Sequence, residues 1–121
     1  MAQERYAILH HKSIDGEHWD LMLEQGAVLA TWRLATKPTG RSALPIEAVR
    51  IDDHRKKFLV YEGPLSDGQS MVSRFDHGSY RLLDDNPQRW VFQLNGQILY
   101  GRFCLAHLLD SQSDQWLLST V

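Results

Sequence analysis

Apolar and polar positions alternate from His18 to Glu24: Trp19, Leu21 and Leu23 fall on one side of an extended segment, and His18, Asp20, Met22 and Glu24 on the other. The spacing predicts a strand whose core-facing row is backed by a solvent-facing one. The apolar run Tyr6 to Leu9 predicts a partner strand, joined to it by a loop at Asp15-Gly16. Gln25-Gly26 predicts a tight turn into a β-rich segment, Ala27 to Arg33, and so a hairpin with the His18 strand. Ala35 to Leu44 reads as a loop that leaves Lys37 and Arg41 free to reach a ligand.

The rest of the chain continues in short extended runs. Ile46 to Ile51 reads as a strand or as a helical turn begun by Pro45, and Asp52-Asp53-His54-Arg55 as a charged turn. Lys57 to Tyr61 reads as a strand, and Met71 to Phe75 with Ser79 to Leu83 as a hairpin around Asp76-His77-Gly78. Trp90, Phe92 and Leu94 alternate as an inward row, and Asn95-Gly96 is the strongest hairpin signal, leading into Gln97 to Leu105. Ala106 to Asp114 is expected to be a helical turn or loop before a last strand, Gln115 to Ser119. Many short strands with closely spaced turns imply an all-β, mainly antiparallel fold, a small closed or partly closed β-barrel with little helix.

Composition narrows the setting. At 121 residues with 43% hydrophobic, the chain (1–121) fits a single domain with one adequate core. A net charge of -2 argues against coating nucleic acid non-specifically, which needs many phosphates neutralised at once, yet Arg50, Arg55, Lys56 and Lys57 form a local basic cluster. The single cysteine, Cys104, excludes an intramolecular disulfide; its apolar surroundings suggest a buried residue, and the setting expected is reducing and cytoplasmic. No apolar run approaches the roughly 20 residues of a membrane-spanning helix, so no membrane association is expected.

Two side chains carry the clearest chemistry. His18 and Asp20 share one strand face, with side-chain roots roughly 7 Å apart, a separation at which imidazole and carboxylate can hold one metal ion. The preceding strand offers His10 or His11 as a third ligand. Two imidazoles and a carboxylate suit a divalent transition ion such as manganese or zinc.

An ordered series of segments resembles, over nearly the whole chain, the 3′-phosphoesterase domain found at the N-terminus of bacterial DNA ligase D and in free-standing relatives. Tyr6 to His11 is similar to its first strand, His18-Trp19-Asp20-Leu21-Met22-Leu23-Glu24 to its His-Tyr-Asp-x-Arg-Leu-Glu strand, and Gly26 to Trp32 to its Gly-Val-Leu-x-x-Trp. Asp52-Asp53-His54, Tyr61-Glu62-Gly63, Asp67-Gly68-Gln69, Phe92 to Phe103 and Trp116-Leu117-Leu118 follow in the family's order. The resemblance implies a manganese-dependent enzyme that removes a 3′ ribonucleotide or 3′ phosphate in DNA repair, acting on a DNA or RNA–DNA 3′ end beside ligase or polymerase partners. By position, His11, His18 and Asp20 would hold the metal, manganese first and zinc or another transition ion as alternatives. His54 would contact the phosphate, Asp52 would orient a neighbour, and Arg50, Arg55 and Lys57 would meet the nucleic acid. Two positions depart from the pattern: Met22 stands where the family carries an arginine, and Phe58 where it usually carries a tyrosine. Those losses raise a second reading, a non-catalytic, metal-containing module that binds nucleic-acid ends or a repair partner.

Overall fold

The computed structural model describes residues 4–108 and 114–121. The alternating segments form nine strands: β1 (Glu4–Ser13), β2 (Gly16–Gln25), β3 (Val28–Leu34), β4 (Ile46–Arg55), β5 (Gly63–Pro64), β6 (Met71–Asn86), β7 (Arg89–Asn95), β8 (Tyr100–His107) and β9 (Gln115–Thr120). Neighbours pair antiparallel in the order β1-β2-β3-β4-β9-β8-β7-β6, a β1–β6 pairing closes the ring, and β5 adds to β6. The expected all-β architecture is therefore an eight-stranded closed barrel with one added strand, and closure leaves the barrel strands no open edge.

Inward rows of aromatic and branched side chains fill the barrel. Trp32 is fully buried and meets the rings of Trp90 and Trp116 edge-on, with centroids 5.0 and 5.6 Å away. Phe92 and Leu94 are likewise fully buried, as their alternation predicts, and Phe92 faces Phe103 across the β7–β8 pair. Cys104 is a buried free thiol.

The row expected to face solvent on β2 is instead covered: Asp20 is 4% exposed, Met22 0% and Glu24 8%. The cover is the segment Lys57 to Tyr61, which is not a strand; Lys56–Leu59 winds into a 3₁₀ turn. It sets Leu59, with Phe58 and Tyr61 beside it, onto Ala7, Leu9, Met22 and Leu29 on the outer wall. Those four carry enough apolar surface on the barrel's outside that leaving them wet would oppose folding, at roughly 25 cal/mol per Å². Asp52-Asp53-His54-Arg55 is likewise not a turn but the end of β4, where His54 stands opposite Leu29 and Arg55 opposite Val28.

The hairpin expected around Asp76-His77-Gly78 is one unbroken strand, β6, which pairs with β1 as far as Tyr80 and with β7 from Ser79 onward. Its turn-like residues serve close packing. Asp76 is 2% exposed, and its carboxylate accepts the Tyr6 hydroxyl and the backbone N–H groups of Gln97, Ile98 and Leu99. At Gly78 a Cβ would stand 2.2 Å from the Asn95 carbonyl oxygen. The Asp76 carboxylate also explains why Asn95-Gly96 does not close a two-residue hairpin: residues 97–99 turn their N–H groups toward it, and β8 begins only at Tyr100.

The loop cations thought free are engaged. Lys37 lies over the Phe75 ring, and Arg41 lies over Phe103 while donating to the Tyr100 carbonyl. Of the turn or loop expected over Ala106 to Asp114, Ala106 and His107 belong to β8, and residues 109–113 lie outside the described residues. No helix among the described residues is long and apolar enough to cross a membrane.

Candidate functional site

The register of the first four strands assembles one cluster on the outer wall. β1 and β2 place His11 opposite His18, and their rings stack with centroids 4.3 Å apart. Two residues along β2, Asp20 stands opposite Arg33 of β3, whose Nε donates to Asp20 Oδ1 at 3.2 Å. The other carboxylate oxygen, Oδ2, lies 3.5 Å from His18 Nε2 and 3.9 Å from His54 Nε2. These side chains line an open cleft of about 410 Å³, with Arg55, Lys57 and Phe58 contributed by the end of β4 and the 3₁₀ turn.

Local bonds determine which nitrogen each ring offers. His54 Nδ1 lies 3.0 Å from the Asp52 carbonyl oxygen, and since a carbonyl only accepts, Nδ1 carries a proton in that bond and Nε2 is the nitrogen turned toward Asp20. Burial holds the His18 imidazole below its ordinary range; the Asp20 charge pulls it up, while Arg33 and the two neighbouring histidines push it down. A neutral imidazole is the form that ligates a metal. His11 Nδ1 is buried, and no described protein atom takes up its hydrogen-bonding capacity.

The residues singled out in the sequence divide on this geometry. His11, His18, Asp20 and His54 converge, with Arg55 and Lys57 on the same cleft. His10 points the other way, its Nε2 2.7 Å from Glu17 Oε2 and its ring stacked on Trp19. Asp52 acts through its carbonyl oxygen, and its side chain is exposed. Arg50 does not itself line the cleft: its guanidinium is 4.4 Å from the Trp32 ring centroid and pairs with Asp53, which does. Arg33 was missed, although its place follows from the Gln25-Gly26 turn: once Gln25 pairs with Val28, counting back along both strands sets Asp20 opposite Arg33.

Among the described residues, no three His, Cys, Asp or Glu side chains are drawn together into a coordination cage. The donor set nevertheless suits a divalent ion. Two ligand atoms at roughly 2.1 Å from one ion stand roughly 3 to 3.5 Å apart, near the 3.5 Å between His18 Nε2 and Asp20 Oδ2.

A family model described as the DNA ligase D 3′-phosphoesterase domain matches residues 9–107. The chain belongs to that family. It is also 29% identical, over 94% of its length, to the multifunctional non-homologous end joining protein LigD of Pseudomonas aeruginosa, of which it spans 14%. Within the phosphoesterase family's frame, the two departures have distinct surroundings. Met22 is fully buried in the apolar layer beneath Leu59, remote from solvent. Phe58 keeps an aromatic ring beside the site, meeting His54 edge-on at 5.9 Å.

Proposed function

We propose that the chain is a metal-dependent 3′-phosphoesterase that processes the 3′ end of DNA in repair, removing a terminal phosphate or ribonucleotide to leave a 3′ hydroxyl. The observation that carries this reading is the Asp20 carboxylate, one oxygen held by Arg33 and the other facing the Nε2 atoms of His18 and His54, on a cleft edged by Arg55 and Lys57. His11, His18 and Asp20 would hold the ion, manganese before zinc. Such an ion draws charge off phosphoryl oxygens and orients a water.

The chain's own residues supply the rest. His54, fixed by the Asp52 carbonyl, would address a phosphoryl oxygen or the departing 3′ oxygen through an Nε2–H, as the imidazolium, and Arg55 and Lys57 attract the anionic strand to the cleft. In phosphate release, water adds to phosphorus and the bond from phosphorus to the 3′ oxygen breaks, giving a DNA hydroxyl and inorganic phosphate. Membership of the family supports the reaction class, and the convergence of the named side chains supports the site.

The buried Met22, with no guanidinium at that position, favours a second reading in which the module binds 3′ ends without turnover. Incubation of the purified chain with manganese and end-labelled primer-templates carrying a 3′ phosphate or a 3′ ribonucleotide separates the two. Conversion to a 3′ hydroxyl is expected; stoichiometric metal with no conversion of either end would assign the chain to end binding.

A further inference from the structure

Asp20 and Arg33 look at first like a simple ion pair in which an exposed cation neutralises a buried anion. Their unequal burial shows more. The Asp20 side chain is 6% exposed and the Arg33 side chain 45%. Only Nε of Arg33 is engaged, and among the described residues its two terminal nitrogens make no hydrogen bond. Arg33 lines the cleft of His11, His18 and His54, and it also lines an adjoining groove of about 290 Å³ between Glu47 and Trp116. Its guanidinium is thus tethered beside the carboxylate, at the junction of two cavities.

We infer that Arg33 grips the terminal phosphate of the 3′ end with its two free guanidinium nitrogens, standing in for the arginine that Met22 replaces. The inference rests on the end-processing reading above. A guanidinium is planar and forked, so an Nε anchored on Asp20 Oδ1 fixes the plane while the remaining donors meet two phosphate oxygens in parallel. The bond to Asp20 removes most of the rotamer freedom that binding would otherwise have to restrict. Arg55 and Lys57, exposed on the cleft rim, bond no carboxylate among the described residues, Lys57 lying instead over the Phe58 and Tyr61 rings, and serve as attracting charges.

The test compares wild type with Arg33→Lys, Arg33→Gln and Arg33→Ala. Affinity for otherwise identical primer-templates ending in 3′ phosphate or 3′ hydroxyl is measured by fluorescence anisotropy in EDTA. Manganese binding is followed by electron paramagnetic resonance, and 3′-phosphate release by single-turnover assay. Wild type is expected to prefer the 3′ phosphate by about tenfold or more. Arg33→Ala should lose that preference and Arg33→Lys recover only part of it, while manganese still binds. Arg33→Gln, which keeps a hydrogen bond to Asp20, gives the same reading should the alanine variant fail to fold. No preference in wild type, or an undiminished preference in both Arg33→Ala and Arg33→Gln, would overturn the inference. So would loss of manganese with the preference intact, which would make Arg33 a partner of Asp20 alone. A wild type that prefers the 3′ phosphate through Arg33 yet never releases it would keep this inference and remove the hydrolytic reading. Turnover unaffected by Arg33→Ala would do the reverse.

Discussion

His54 gives its Nδ1 proton to the backbone carbonyl of Asp52, and this bond, made two residues back along the same strand, fixes the nitrogen that faces Asp20. The orientation of the ring is therefore set by the backbone of β4. His54→Ala should lower manganese-dependent 3′-phosphate release by roughly 10² to 10⁴ with the circular dichroism spectrum unchanged. Retention of full activity would assign the proton-handling role elsewhere.

Metal binding provides a check independent of turnover. His18 and Asp20 supply the closest imidazole–carboxylate pair in the cleft, so the double variant His18→Ala/Asp20→Ala should lose the one divalent ion expected per chain. Elemental analysis after dialysis decides it, and undiminished stoichiometry would place the ion at other residues.

Acid should destabilise the metal-free protein in two separate windows. His18 is held below its ordinary value, so the unfolded chain binds its proton first; the stability contribution is full above about pH 6.5 and is lost as pH falls through the lower folded value. Burial pushes Glu24 up, but hydrogen bonds from Lys56, the Arg5 side chain and the Arg5 backbone outweigh it and hold the carboxyl below its ordinary value of 4.5. Its contribution is present above that value and is lost at lower pH still. Thermal unfolding in EDTA should show a first decline that His18→Gln flattens and a second, more acidic one that Glu24→Gln flattens. An identical pH profile in both variants would contradict the assignment.

Restoring the family's arginine should not restore function. Met22 packs against Leu59 in the outer apolar layer, and the carboxylates that flank it on β2, Asp20 and Glu24, already pair with Arg33 and with Arg5 and Lys56, so Met22→Arg buries a competing guanidinium at a cost of roughly 3 kcal/mol or more. Urea unfolding would register the loss. A stable variant with raised phosphatase activity would mean that the new side chain reaches the cleft.

Inside the barrel, Phe92 is fully buried against Phe103. Phe92→Ala should cost roughly 3 to 5 kcal/mol in chemical denaturation. A change under about 1 kcal/mol would contradict the packing.

Legibility in the sequence followed the range of the forces involved. The β2–β3 hairpin and the inward faces of Trp19 and Phe92 were legible because turn chemistry and alternation act between near neighbours. Asp76-His77-Gly78 misled because a buried carboxylate and a glycine crowded by Asn95 carry the same composition as a turn; their reason lies in Tyr6 and in residues 97–99. Likewise Lys57 to Tyr61 alternates too briefly to declare itself a lid, and only the apolar outer faces of Ala7, Leu9 and Leu29, brought together by pairing, call for one. In the cleft, His11, His18, Asp20 and His54 were legible as residue types. Arg33 was not, because its role comes from register and not from spacing.

The cleft lies on the barrel's outer wall, while its interior is packed with Trp32, Phe92 and Phe103. The residues that stabilise the chain and those available for chemistry are thus nearly separate sets. Drift at a half-exposed cleft residue such as His54 leaves that interior packing untouched, so descendants of one ancestor can keep the same barrel while changing which side chains face the phosphate, or losing turnover altogether. In such a lineage a folded protein is no witness to activity; the cleft alone carries that record.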